Sequence, residues 1–433
     1  MRRALLILLV LAVLVSPAAA QTHAVARHVL PNGLVILVRD DPTVGVVAAS
    51  LVVRSGSAFE TAETAGVTNF LQRSLLRGTK RHSRLALLEA AEELGGTLDA
   101  SGGVDYAEVS GTAIARNWES LLTLLAEVAL APTLPADELE KERALILGRL
   151  QTRADQPFQR AFDTALADVY GGHPYAWPEF GRAESVARLT REALLERYAA
   201  AYRADRMVLA VAGGVSRQRV IAAAERLFKA VPGAAGPAAH SAGKAVPRGE
   251  RRLVERDARQ AQVLVGFLAP PLTDPDYAPM RVLAAVLGGG MSSRLFVELR
   301  DRRGLAYSTG VVTTNRTGPS LFLPYLGTAP ANADAAVAGV LAEIDRLRRD
   351  PVEVRELARA KAWLLGNLAM DRQTSARHAW YLAVFELLGG GWDWPERYAR
   401  AVEAVTVGDL TRVAERYLAR PTVVVLRPAE AVR

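Results

Sequence analysis

The sequence predicts an α+β protein built from two related domains, one a duplicate of the other. Three observations carry this expectation. At 433 residues the chain exceeds what one hydrophobic core ordinarily serves. Strand-like and helix-like stretches mix without the strict alternation of a doubly wound parallel sheet. The two halves also echo each other at a spacing far too long for a solenoid repeat. The stretch Leu189-Thr190-Arg191-Glu192-Ala193-Leu194-Leu195-Glu196-Arg197-Tyr198 runs on to Met207-Val208-Leu209-Ala210-Val211. Its counterpart, Val405-Thr406-Val407-Gly408-Asp409-Leu410-Thr411-Arg412-Val413-Ala414, ends at Val423-Val424-Val425-Leu426. Each reads as a capped helix delivering the chain into a β-branched strand. Tyr175-Ala176-Trp177-Pro178 precedes the first and Trp392-Asp393-Trp394-Pro395 the second.

Residues 1–20 read as a secretory signal, with Arg2 and Arg3 as the charged end, an apolar run from Ala4 to Val15, and Ala18-Ala19-Ala20 before Gln21. The apolar run is short of the ~20 residues that span a bilayer, so cleavage is expected rather than anchoring. A first domain is expected over 21–235. It opens with Val29-Leu30-Pro31-Asn32-Gly33-Leu34-Val35-Ile36-Leu37-Val38, two apolar runs about an Asn-Gly turn and hence a hairpin. Val46–Val53 reads as a strand and 64–76 as a helix. Helices follow over 83–94 and 117–129, and another starts after Pro135, a residue suited to a first helical turn. The Gly-, Pro- and Ala-rich stretch leading to Pro247 can bury little, so 236–247 reads as a linker. The second domain, 248–430, repeats the scheme with a strand over 262–267 and a helix over 277–287.

Half the residues are hydrophobic and 23% charged, a globular composition. The net charge of +7 comes from scattered Lys and Arg; clusters such as Arg300-Asp301-Arg302-Arg303 are short and contain an acid. That pattern favours solubility over nucleic-acid binding. The absence of cysteine excludes disulfides, thiolate metal sites and lipoprotein acylation. No segment after the signal is long and apolar enough to span a membrane, and a bacterial periplasm is the expected location.

The chemistry of the first half sits in Ala65-Gly66-Val67-Thr68-Asn69-Phe70-Leu71-Gln72-Arg73-Ser74-Leu75-Leu76-Arg77-Gly78-Thr79. This framework resembles the zinc-site helix of the M16 family of insulinase, pitrilysin and mitochondrial processing peptidase. The family has His-x-x-Glu-His here, two histidines for zinc and a glutamate as base. Histidines four residues apart project from one helical face toward a single ion. This chain has Asn69, Gln72 and Arg73 instead. An amide is a feeble zinc ligand, Gln cannot take a proton from water, and Arg is a permanent cation.

The resemblance implies a third zinc ligand, a glutamate, about 76 residues beyond the second histidine. In Glu140-Lys141-Glu142-Arg143-Ala144-Leu145-Ile146-Leu147-Gly148-Arg149-Leu150-Gln151 that position holds Arg149, and Glu142 matches a second acidic position near the metal. Arg73 and Arg149 are expected to approach each other, with Glu142 as counter-charge to at least one. The six histidines, His23, His28, His82, His173, His240 and His378, show no metal-ligand spacing, so no metal is expected on this chain.

A second resemblance lies in Leu287-Gly288-Gly289-Gly290-Met291-Ser292-Ser293-Arg294-Leu295-Phe296 and the following Val297-Glu298-Leu299-Arg300-Asp301-Arg302-Arg303-Gly304-Leu305-Ala306-Tyr307-Ser308. It is similar to the C-terminal-domain signature of the same family, in which an arginine and a tyrosine seven residues later reach across the cleavage chamber. Arg300 and Tyr307 hold that spacing. A phenol can donate to an oxyanion and a guanidinium can bind peptide carbonyls. Taken singly, Arg300 reads as a solvated helix charge and Tyr307 as a half-buried strand aromatic. Gly288, Gly289 and Gly290 are candidates for substrate contact, with a helix cap and turn as the plainer reading; no Lys-Ser/Thr follows them, so a phosphate loop is excluded.

Together the resemblances imply a zinc-less subunit of a periplasmic M16 heterodimer. The homologous partner carries His-x-x-Glu-His and the zinc, and this chain supplies Arg300 and Tyr307 in trans to an extended peptide. The alternative is a structural scaffold, or a chamber that holds peptides without cutting them.

Overall fold

The computed structural model describes residues 24–233 and 244–429. The signal expected over 1–20 lies outside them, as do residues 236–243 of the expected linker.

The first half forms a six-stranded sheet from β1 (Val25–Val29), β2 (Val35–Asp40), β3 (Val46–Val53), β4 (Thr97–Gly102), β5 (Ala107–Ile114) and β6 (Met207–Gly213), in the order β1-β2-β6-β3-β5-β4. The second half forms a five-stranded sheet from β7 (Arg251–Glu255), β8 (Ala261–Ala269), β9 (Ser308–Thr313), β10 (Ser320–Thr328) and β11 (Thr422–Arg427), in the order β7-β11-β8-β10-β9. Without β1 the two orders coincide strand for strand. They coincide in polarity too, since the parallel pair is β2 with β6 in one and β7 with β11 in the other. The duplication read from the sequence is thus present in the topology.

Local chemistry places these elements. The Asn-Gly step closes the β1–β2 hairpin with Val29 opposite Val35. The Asn32 side chain then donates to the carbonyls of Phe228 and Val231 at 2.9 and 3.0 Å, tying the turn to the helix Arg217–Phe228. The echoed helices are Arg191–Ala201 and Val407–Tyr417, each capped by the threonine before it. Thr406 and Asp409 form a capping box, with the Asp409 carboxylate accepting from the Thr406 amide at 2.9 Å. The Trp-Pro steps before them are not equivalent. Pro178 lies in a loop, whereas Pro395 sits in the first turn of the helix Trp394–Ala404.

One packing feature lies beyond sequence reading. The outer face of the first sheet (Ile36, Val38, Val47, Ala49, Leu51) is covered by helices of its own half, Val67–Leu75, Trp118–Leu130 and Arg217–Phe228. Its other face (Leu37, Ala48, Val52, Val208, Ala210) is covered by Ser375–Leu387, a helix of the second half. The exchange is reciprocal. Pro157–Tyr170 lays Ala161, Ala165 and Val169 on Leu264, Leu321 and Val424 of the second sheet. Strands β3, β6 and β8 are accordingly buried on both faces and read as continuous apolar runs. Asp105 adds a polar latch between the halves, accepting from the Tyr175 hydroxyl at 2.6 Å and the Thr317 hydroxyl at 2.9 Å. Among the described residues no helix is long and apolar enough to cross a membrane.

Candidate functional site

The altered motif occupies Val67–Leu75, a helix held between β4, the helix Arg191–Ala201 and the long helix Ala136–Asp155. It starts three residues later than expected. Gly66 caps it at φ +94°, a left-handed conformation that a side chain would strain. The buried Glu60 carboxylate accepts from the Gly66 and Thr68 amides at 2.7 and 2.8 Å. Burial raises its pKa, and those two amide bonds together with Arg197 oppose the rise.

The three motif positions now do other work. Asn69 is buried beneath Gly102 of β4, and among the described residues its amide oxygen has no hydrogen-bond partner. Gln72, where the resemblance implies the base, is fully buried against Tyr202. Its Nε2 donates to the phenol oxygen at 2.9 Å, and the phenol donates to its Oε1 at 3.1 Å. Burial pushes the Tyr202 pKa up, so that hydroxyl keeps its proton. Gln72 is a core contact. Tyr202→Phe is expected to cost about 1–3 kcal/mol in a denaturation measurement, because it leaves the Gln72 amide unsatisfied.

Arg73 donates through Nε to Oε1 of Glu142, and Arg77 donates through Nη2 to Oε2 of the same carboxylate. Arg77 also reaches Glu138 at 3.3 Å. The side chain of Glu142 is 1% exposed, that of Arg77 9% and that of Arg73 24%. Glu142 thus has the role expected of it, but its second partner is not Arg149. Arg149 is exposed and makes no ion pair among the described residues. Seven residues place it about 10 Å further along the helix axis. Arg77 was missed by the sequence reading; it lies in the turn just past the helix, and its spacing four residues after Arg73 was the available signal.

This arrangement does not fit a zinc ion. The one carboxylate in the pocket is held by two guanidinium groups, and among the described residues no group of three or more His, Asp or Glu converges on a point. Two of the four described histidines have evident structural partners. His82 meets Glu127 at 2.8 Å, and His173 accepts from the Tyr175 amide at 3.1 Å. His23 and His240 fall outside the described residues.

In the second half, Arg300 lies on the wide π-helical segment Leu295–Arg302, a form frequent at functional sites. It is exposed, with its guanidinium 4.7 Å from the Phe296 ring centroid. Tyr307 is 59% exposed, more open than the half-buried strand aromatic considered from sequence. Its amide donates to the Gly327 carbonyl at 2.8 Å, which fixes it immediately before β9. Its hydroxyl makes no hydrogen bond among the described residues. The glycine turn meets the same strand: a Cβ on Gly288 would stand 2.7 Å from the Val311 amide nitrogen. Arg300, Tyr307 and Gly288–Gly290 are therefore gathered around β9, an edge of the second sheet, while Asn69, Gln72, Arg73, Glu142 and Arg149 belong to the first half. Gly288→Ala is expected to cost about 1–3 kcal/mol in a thermal melt, because the obstruction is backbone.

Comparison with known proteins identifies the family. Residues 35–181 match the family model described as insulinase (peptidase family M16), and residues 188–364 match the one described as peptidase M16 inactive domain. An uncharacterized zinc protease of Mycobacterium tuberculosis is 32% identical over 409 residues, which is 93% of this chain and 92% of that protein. One from Rickettsia felis is 26% identical over 392 residues, 89% of this chain and 93% of that one. Among solved structures, a peptidase M16 inactive domain from Pseudomonas fluorescens superposes with a TM-score of 0.87 at 24% identity, covering 94% of this chain and 99% of that one. A protease from Helicobacter pylori gives 0.87 at 22% identity with the same coverage. The chain belongs to the M16 peptidase family.

Proposed function

We propose that this chain is the non-catalytic subunit of a periplasmic M16 heterodimer, paired with a homologue that carries His-x-x-Glu-His. The observation that carries the reading is Tyr307, an exposed phenol with an uncommitted hydroxyl at an open sheet edge, beside Arg300 and the glycine turn. A chain serving only as scaffold has no use for that set. Activation of the attacking water belongs to the partner's metal centre. The substrate is an extended peptide whose backbone pairs with a sheet edge, the usual mode for strand addition. Arg300 binds its carbonyls, and Tyr307 donates to the oxyanion as the scissile carbonyl becomes tetrahedral.

The test is affinity capture of this chain from a periplasm that also expresses a His-x-x-Glu-His homologue. A one-to-one complex holding one zinc per pair is expected, while the chain alone holds no stoichiometric zinc and cleaves no peptide. Near one zinc per isolated chain, with chelator-sensitive proteolysis, would overturn the reading. Arg300→Ala is expected to raise the apparent KM of the assembled pair as well as lower kcat, because backbone binding acts on ground state and transition state alike.

A further inference from the structure

A cavity of about 540 Å³ lies where the first sheet meets the second half's helices. Arg39 of β2 faces it from one side; Arg372, His378, Tyr381 and Trp392 face it from the other, with Arg400 also on its wall. Its size and its place between domains suit a small-molecule site.

Two features show that negative charge is short there, and a neutral histidine adjoins them. Among the described residues the buried Nε of Arg372 has no acceptor, although its Nη2 donates to Glu396 at 2.6 Å. The nearest carboxylate oxygen to the Arg39 guanidinium, on Asp41, stands 3.7 Å away, outside hydrogen-bond distance. His378 is pushed down to about 4 by burial first and then by Arg39 and Arg372, with Glu396 and Asp41 opposing, so it is neutral at neutral pH. The remaining acid on the wall, Asp393, accepts from Arg397 at 3.0 Å. An unmet buried donor in a folded protein calls for a partner. Tyr381, Leu382, Trp392 and Pro395 supply an apolar wall beside these donors.

We propose that this cavity binds a small organic oxyanion, a carboxylate or phosphate on an apolar body, with Arg39 and Arg372 as its charged donors and His378 as a proton-linked third. The oxyanion accepts from the guanidinium groups of Arg372 and Arg39, and the apolar body lies against Tyr381 and Trp392. Such a ligand touches both halves and braces them. The site is independent of the peptide chemistry around β9.

Benzoate and inorganic phosphate serve as probes on the whole chain, read by histidine-ring NMR and by thermal unfolding. Saturable benzoate binding is expected, with the His378 pKa rising on binding. Affinity should therefore increase as pH falls from 8 to 5, since the anion favours the protonated ring. Arg39→Gln, which breaks no side-chain hydrogen bond among the described residues, should weaken binding roughly tenfold or more. Arg372→Gln should weaken it too, but it also removes the Glu396 pair, so Arg39→Gln is the deciding variant. Equal response to phosphate assigns recognition to the oxyanion alone, and preference for benzoate adds the apolar wall; both support the site. No saturable response to either probe, or benzoate binding unchanged by Arg39→Gln and by pH, overturns it.

Discussion

Tyr307→Phe slows turnover of the assembled heterodimer by ~10²-fold to 10³-fold and leaves assembly and substrate affinity nearly unchanged. That is the range observed when one oxyanion donor is removed. The expectation rests on geometry. The residue is 59% exposed, its hydroxyl makes no hydrogen bond among the described residues, and it is fixed to the second sheet through its backbone amide. Removing one oxygen therefore leaves packing and fold intact. A donor used only in the transition state lowers kcat and kcat/KM together, without raising KM. The check is steady-state kinetics of the reconstituted pair on an unstructured peptide. Wild-type turnover with Tyr307→Phe would remove this chain from the chemistry and leave it a structural half-shell.

Glu142→Gln destabilises the first half by about 3–5 kcal/mol, the usual consequence of removing one partner from a buried ion pair. The variant keeps the shape of the side chain but leaves Arg73 and Arg77 side by side, with Glu138 at 3.3 Å as the nearest remaining carboxylate. Urea or thermal unfolding reads the loss, monitored on the first transition because a chain of two halves need not unfold in one step. Replacing Glu142, Arg73 and Arg77 together by methionine should recover most of it, since a buried ionic cluster is often no more stable than well-packed apolar residues. A loss under 1 kcal/mol in Glu142→Gln would mean that water, not Glu142, compensates the two arginines. The cluster sets one buried carboxylate between two guanidinium groups, so Glu142 is the counter-charge to both.

What was legible in the sequence was whatever local chemistry dictates. Val46–Val53 was read to the residue because its run of β-branched and small apolar residues is buried along nearly its whole length. The threonine-capped helices were read because a cap, an apolar face and a following strand are all written within about thirty residues. The exchange of Pro157–Tyr170 and Ser375–Leu387 was not legible. Each is an amphipathic helix by its own pattern, and nothing in that pattern names the sheet it covers. The Trp-Pro echo misled for a related reason, since a short motif marks a chain break without fixing which side of it turns helical.

One echo was legible and overlooked. Ala144-Leu145-Ile146-Leu147-Gly148-Arg149-Leu150 corresponds to Ala362-Trp363-Leu364-Leu365-Gly366-Asn367-Leu368 on the helix Val354–Asp371, which follows β10 as Ala136–Asp155 follows β5. It sets Glu142 against the buried Ala360, so the acidic position belongs to the first half alone. At the candidate site, the identity of the replaced residues was plain from sequence, but their partners were not. Arg149 was expected inward from helical phase, whereas its distance along the axis carries it past the pocket. Phase says which face a residue occupies, not how far the neighbouring helix extends.

The most direct measurement is peptide-cleavage rate as this chain is titrated into a fixed amount of a periplasmic His-x-x-Glu-His homologue. The account predicts little cleavage by either chain alone and a rate that climbs to a plateau at one-to-one stoichiometry. A rate that stays flat through the titration, with both chains folded and the homologue loaded with zinc, would contradict it.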